Sequence, residues 1–403
     1  MKFILSGGWG YGNIGDDLIL ASTVNIINRI VPNSEFRILT YSKSDSISHK
    51  NGNTEIDYTL HRHVDLGNTG FKFRSFNDSV TLYSKVMDRL TKRVSDSEWY
   101  FNHKSHKEKD SLKKSFSNYD AYIMCGGGYF NEKWISKIRS LLFELDIAQS
   151  EGLKTIILGP TIGRVPEQLK NDAQKIFSSA DLVIVRDESS LKTLLELGVN
   201  AEIIPDIAMS SWEVEQRDNK VETVGVVYTS GDNPLKSYIT EDLANFHKHK
   251  NGNVRYNFII TRQWKGDFQS SQIIMKEMLK KGIQSKLIIP SDHVSLENEM
   301  SKCDLVISEN LHGLISASRN LIPVIAINDY DPESPNGKKF RGFLSQFNIE
   351  KFYINSNSKK NYLFSLMTEI ESSHLELIDS LNSKRNETND KYTSVLSNVL
   401  LKD

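Results

Sequence analysis

Arg186 follows the apolar run Leu182–Val185, and Arg262 follows Asn257–Ile260. Glu309, Asn310, Leu311 and His312 follow Leu305–Ile307, just before Gly313. Lys338, Lys339 and Arg341 come after Val324–Ile327 and a loop containing Pro and Gly. Guanidinium groups grip carboxylates and phosphates through paired donors, so this set fits an anionic, phosphorylated substrate. His312 is the member that titrates near neutral pH when unperturbed. Asn310 donates through its amide but brings no charge. Any one of these residues, taken alone, is equally an ordinary surface charge. The recurrence of cations at the same place after successive apolar runs is what gives the set meaning.

Glycines occupy corresponding positions. The segment GGWGYGNIGDD, Gly7 to Asp17, follows the first apolar run and opens a helical pattern. Gly10, Gly12 and Gly15 spell the G-x-G-x-x-G dinucleotide fingerprint. That site also needs an acidic residue at the end of the second run, which here reads Thr40, Tyr41, Ser42, while Glu35 precedes that run. The segment therefore points to close approach of backbone N–H groups, at Gly12 and Asn13, to a polar or anionic ligand. Asp16 and Asp17 read either as helix caps or as site carboxylates. A second cluster, Gly126 to Gly128, follows Ala121–Cys125 and leads into Glu132, a further candidate carboxylate. A third, Leu158 to Gly163, follows Thr155–Leu158. In a parallel sheet, ligands bind beyond the carboxyl ends of the strands, where all three clusters fall. Gly12, Asn13, Gly127 and Gly128 are expected on the side of the site opposite the cations.

The elements that must hold these residues are short Val/Ile/Leu-rich runs without alternation, which read as strands buried on both faces of parallel sheets. Helical stretches such as Leu18–Arg29 and Ser189–Leu197 separate them. This rhythm, over 403 residues, predicts two doubly wound, Rossmann-like domains with a cleft between them. The boundary is expected near Pro205, giving domains over 1–208 and 209–403. A polar, Lys- and Arg-rich insertion occupies about 60–118, with Phe71, Trp99 and Tyr100 among its aromatic residues. It reads as a solvated helical segment, with peripheral contact to a membrane surface as the second reading. The segment 361–401 has helical periodicity; it caps the second domain or crosses back onto the first.

Composition removes several classes of function. Fifty basic residues balance 51 acidic ones, so no global charge favours nucleic acid. No zinc spacing, H-E-x-x-H, Walker A or G-x-S-x-G motif occurs, so neither a metal site nor a hydrolytic triad is expected. Cys125 and Cys303 read as buried small hydrophobes. The chain begins directly in an apolar strand, and no apolar run reaches about 18 residues, so a cytoplasmic protein is expected, with the inner face of the membrane as a possible station.

Read together, GNIGDD (Gly12 to Asp17), GGGYF (Gly126 to Phe130), LGPTIG, VRDESS, PDIAM (Pro205 to Met209), ISENLHGLISAS (Ile307 to Ser318) and KFRGFL (Lys339 to Leu344) resemble the polysaccharide pyruvyl transferase family. The resemblance implies a two-domain fold like that of B-type glycosyltransferases. It implies transfer of a pyruvyl group from phosphoenolpyruvate to a sugar of a cell-surface glycan or its lipid-linked precursor, without a cofactor. Donor-binding positions of the family fall on Arg186, Leu311, His312 and Lys339. The family's usual Arg-Leu-His is Asn310-Leu311-His312 here, so either Arg262 or a nearby lysine supplies the missing charge, or the donor differs, or the chain is catalytically weak. His312 is the candidate acid, and Asp16, Asp17 or Glu132 the candidate base. A glycosyltransferase using a nucleotide sugar, with Glu309 near the nucleotide, and a non-catalytic assembly partner are the alternatives.

Overall fold

The computed structural model describes residues 1–9, 13–39, 54–57, 110–211, 220–229, 235–262, 265–328, 335–355 and 357–402. Its strands form two sheets. The first contains β1 (Lys2–Ser6), β2 (Glu35–Leu39), β3 (Thr54–Asp57), β4 (Ala121–Phe130), β5 (Lys154–Ile162), β6 (Leu182–Val185) and β7 (Glu202–Ile203), ordered β3-β2-β1-β4-β5-β6-β7. The second contains β8 (Thr223–Val227), β9 (Arg255–Ile259), β10 (Ser285–Ile288), β11 (Leu305–Ser308), β12 (Val324–Ile327) and β13 (Tyr353–Ile354), ordered β10-β9-β8-β11-β12-β13. Every pairing within them is parallel. In each sheet the order reverses beside the first strand, at β1 and at β8. Chain crossovers leave such a point in opposite directions, which opens a crevice at the carboxyl ends.

The apolar runs form these strands because helices cover both faces. Every residue of β6, β8, β11 and β12 is buried, so no polar side is needed and no alternation appears. The helix Ile14–Ile30 buries Leu18, Ile19, Leu20, Ile26 and Ile27 against the first sheet and its surroundings. It starts four residues earlier than the sequence pattern suggested. Strands β3, β7 and β13 were not anticipated, because two to four residues carry too little pattern to read.

One expectation is corrected in kind. The glycine segments after β4 and β5 are extensions of the strands, not loops: Gly127 pairs with Pro160 and Phe130 with Ile162, across a register shift. Gly127 has φ of 140°, and a Cβ there would stand 2.2 Å from the Tyr129 ring. The bulge and the ring's position both require glycine at this point.

The terminal helix His374–Leu400 crosses back onto the first sheet. Tyr392 donates to the Pro205 carbonyl at 2.8 Å, Asn389 to the Ser211 carbonyl at 2.9 Å, and Lys154 to the Val399 carbonyl at 3.1 Å. Of the segment read as an insertion, 58–109 lies outside the described residues; over 110–116 the chain is helical, with Leu112 and Phe116 buried.

Candidate active site

The two halves meet through main chain. The N–H of Ile14 donates to the Thr261 carbonyl at 3.2 Å, and Asn13 and Arg262 form an isolated antiparallel bridge. The start of the first helix is thereby pinned against the carboxyl end of β9. This contact consumes a helix N-terminal donor that a bound anion would otherwise use.

Around this contact gather side chains from five strand ends. Gly15, in the first turn of its helix, lies flat against His312: a Cβ there would stand 2.1 Å from His312 Cγ. The imidazole Nε2 of His312 is 3.6 Å from Asp16 Oδ1 and, among the described residues, has no hydrogen-bond partner. Asn13 donates its amide to the other Asp16 oxygen at 2.8 Å. Gly128, expected opposite the cations, instead lies against two of them: a Cβ there would be 2.6 Å from Lys339 Nζ and 3.9 Å from Arg186 Nη2. The site is thus a pocket of charge with Asp16 and His312 on one side and Arg186 and Lys339 on the other.

Burial tunes these groups. Desolvation pushes the Asp16 carboxyl up to about 7, against the pull of Arg186, Asn13 and Lys339. Desolvation, together with the like charges of Arg186, Lys339 and Arg262, drives the His312 imidazole down to about 4. At neutral pH the imidazole is therefore neutral and the carboxyl is near half-protonated. Two such groups in near contact titrate as a pair, and between those limits the pair holds one proton.

Arg186 is 7% exposed. Its Nε donates to Thr161 Oγ1 at 2.8 Å, and its Nη1 forms an ion pair with Asp206. Asp206 also caps the short turn Ile207–Met209 by accepting from the Ala208 N–H. Asp187 caps the helix Glu188–Glu196 and takes a hydrogen bond from Thr161. The guanidinium is thus fixed on one edge by Thr161 and Asp206 while its other nitrogen faces Gly128.

The remaining expected residues distribute unevenly. Asn310 spends its side-chain oxygen capping the helix Leu311–Arg319, accepting from the His312 N–H at 2.8 Å, so it orients the histidine. Leu311 packs partly against the core. Arg262 makes a two-pronged ion pair with the buried Asp267, both contacts at 2.9 Å, so much of its charge is already matched. Asp17 is 1% exposed, inside the helix, and cannot meet a hydroxyl in the cleft. Glu132 is exposed and sits near Arg164, at 3.9 Å, rather than among the cations. Glu309 is buried and accepts from the Thr229 N–H at 2.9 Å. Gly12 lies outside the described residues.

Sequence reasoning missed four partners. Asp206 could have been found as the acidic residue after Pro205 at the end of β7. Lys137 and Glu144 share a face of the helix Ile135–Ser150, seven residues apart, yet sit on its buried side. Tyr129 donates to the carbonyls of Cys125 and Gly126 and walls the cluster near Gly8. A cavity of about 400 Å³ opens at the opposite, amino-terminal ends of β6 and β7, near Asp181 and Glu202, and gathers no cation. Among the described residues, no His/Cys/Asp/Glu cluster is arranged to hold a metal ion, and no helix is long and apolar enough to cross a membrane.

Comparison with known proteins places this geometry. A model of the family described as polysaccharide pyruvyl transferase matches residues 13–331, which includes Asp16, Arg186, Asp206 and His312 and stops short of Lys339. No curated protein matches the chain in sequence. Among solved structures, HepE of Anabaena in complex with UDP aligns over 100% of this chain and 98% of its own, at 10% identity and a TM-score of 0.55. A glycosyltransferase of Rickettsia africae aligns over 100% and 99%, at 11% identity and a TM-score of 0.56. The UDP-GlcNAc 2-epimerase of Neisseria meningitidis, bound to UDP-GlcNAc, aligns over 98% and 99%, at 11% identity and a TM-score of 0.54. At these identities the likeness is one of fold: two Rossmann-like domains in the arrangement of B-type glycosyltransferases.

Proposed function

Since the chain belongs to the polysaccharide pyruvyl transferase family, we propose that it transfers the pyruvyl group of phosphoenolpyruvate to a sugar of a glycan or its lipid-linked precursor, closing a pyruvate ketal. The observation that carries this reading is the convergence of Arg186 and Lys339 on Gly128, opposite the Asp16–His312 pair. A trianionic donor needs fixed cations, and both stand where its phosphate or carboxylate can be gripped in a largely dry site.

The chemistry follows from the single proton that the pair holds. His312 Nε2, taking that proton from Asp16 as the donor's negative charge raises its basicity, delivers it to the methylene carbon. A methyl group forms and the adjacent carbon becomes electrophilic. A sugar hydroxyl attacks that carbon, and its proton returns to Asp16. The C–O bond to phosphate then breaks, with Arg186 and Lys339 stabilising the leaving anion. A neighbouring hydroxyl closes the ketal, and its proton leaves with phosphate. One proton enters and two leave, which balances donor and diol against ketal and phosphate. This chemistry calls on no metal or cofactor.

The fold neighbours that hold UDP or UDP-GlcNAc give the nucleotide-sugar reading its only footing. Against it, Glu309 already engages Thr229 and is 6% exposed. The test is incubation with phosphoenolpyruvate and candidate lipid-linked glycans, followed by mass spectrometry. Gain of a pyruvyl ketal with release of phosphate supports the proposal. Hexose gain from a nucleotide sugar, with no product from phosphoenolpyruvate, refutes it. Contact of the chain with a membrane surface belongs to the same proposal, because a lipid-linked acceptor resides there.

A further inference from the structure

Behind the first glycine segment lies a buried charged network that the reaction as described does not use. Lys137 is 8% exposed and donates to the Gly7 carbonyl at 3.1 Å. Its ammonium stands 5.2 Å from the centre of the Tyr129 ring. The same ring edge lies 2.8 Å from where a Cβ of Gly8 would be, and Asp16 Oδ2 lies 3.7 Å from that point. Two helical turns along, Glu144 is 1% exposed and accepts from Ser6 at 2.7 Å and from Tyr122 at 2.5 Å. Ser6 and Gly7 are consecutive at the carboxyl end of β1, so Lys137 and Glu144 grip adjacent points of the segment that carries Asp16.

Burying a lysine and a glutamate is expensive, and apolar residues of similar size fill such space at no loss of stability. Hydrogen bonds to the Gly7 carbonyl, Ser6 and Tyr122 account for polar atoms at these positions but not for a full charge of each sign. A charge placed near Asp16 does. We propose that Lys137 is a positioning residue of this site: hydrogen-bonded to the Gly7 carbonyl, it holds a positive charge near Asp16 and so biases the carboxyl's protonation state. Desolvation lowers the Lys137 ammonium to about 7, while Glu144 and Asp16 hold its proton on. Asp16 in turn faces His312, Arg186, Lys339, Asp206, Tyr129 and Asn13. Lys137 acts from the opposite side to the donor cations. With its own midpoint lowered to about 7, the ammonium carries its full charge only below neutrality, so its support of the Asp16 carboxylate fades as pH rises through that value.

This inference rests on reading Asp16 as the proton carrier, and its test does not depend on that reading. The probe is the Asp16 carboxyl carbon itself, followed by NMR in protein labelled with ¹³C at Asp side chains and assigned by its absence in Asp16→Asn. Lys137→Met should raise the Asp16 midpoint by a fraction of a pH unit, less than the roughly one unit or more that an opposite charge in direct contact contributes. Glu144→Gln, which keeps an oxygen acceptor for Ser6 and Tyr122, should shift the midpoint the same way by weakening the lysine's hold on its proton. Lys137→Arg should restore it toward the parent value. An unmoved midpoint in the folded Lys137→Met or Glu144→Gln protein overturns the proposal. So does failure of both variants to fold, which would make the pair purely structural. A moved midpoint in a protein whose rate is indifferent to Asp16→Asn would leave this inference standing and remove the proton-carrier reading instead.

Discussion

Gly15→Ala adds one methyl group and is the sharpest test of the site's geometry. The position is helical, so alanine brings no backbone strain and gains up to about 1 kcal/mol of helix propensity. On the parent backbone, however, its Cβ would lie 2.1 Å from His312 Cγ and 2.4 Å from His312 Cβ. Those atoms are the root of the imidazole, not its free end, so rotating the ring away does not relieve the clash. Either the helix Ile14–Ile30 or the start of Leu311–Arg319 must move, and the Ile14–Thr261 hydrogen bond couples the first of these to β9. Overpacking of this kind costs about 1–3 kcal/mol, so the net loss of stability should be about 0–2 kcal/mol. For domains of this size that lowers Tm by about 2–4 °C per kcal/mol. The rate should suffer more, because a shift of about 1 Å between reacting groups costs on the order of 100-fold. The assay is thermal unfolding beside kcat/KM for the donor, in Gly15→Ala, His312→Ala and the double mutant. The double mutant should recover part of the stability that Gly15→Ala lost, since the methyl no longer meets the ring but still meets the Cβ that alanine keeps at position 312. Parent-like Tm and rate in Gly15→Ala, or additive effects on stability in the double mutant, would refute the contact.

Three further outcomes follow from the same geometry. Because the Asp16–His312 pair must begin with one proton, kcat/KM should fall as pH rises through about 7, where Asp16 loses it; the limb in kcat should lie higher, since a bound anion holds the proton on, and Asp16→Asn should abolish the limb and lower kcat by about 10²–10⁴-fold. Arg186→Ala should destabilise the fold by about 3–5 kcal/mol, because it strands a buried Asp206 that is 4% exposed; chemical denaturation should show much of that loss recovered in Arg186→Ala with Asp206→Ala, while donor affinity by calorimetry stays lost in both. Asn310→Ala should cost about 1 kcal/mol through the lost helix cap and weaken donor binding only through His312; abolished binding in a stable Asn310→Ala protein would show instead that the asparagine contacts the donor directly.

What the sequence determined by itself is the class of fold and the rim on which the site lies. Runs such as Leu182–Val185 and Leu305–Ile307 are apolar on both faces, and only a sheet covered by helices on both sides can use them. Since successive parallel strands point the same way, whatever follows each run falls on one edge, so Arg186, Asn310 and His312 were legible as neighbours without any contact being known. The ordered motifs added the family. What only the tertiary structure decided is which charges are matched and which are buried. Arg186 and Arg262 both looked like free cations until each was found beside its own carboxylate, Asp206 and Asp267, and Glu132 looked as close as Asp16 until its side chain turned to solvent. Nothing in the sequence pattern singles out Lys137 and Glu144, yet the fold places both under the glycine segment. Strand patterns are local because each strand meets the same apolar surroundings along its length. The charge state of a carboxyl is not local, because it is set by desolvation and by partners from opposite ends of the chain, and those exist only once β1, β4, β6 and β11 have brought their ends together.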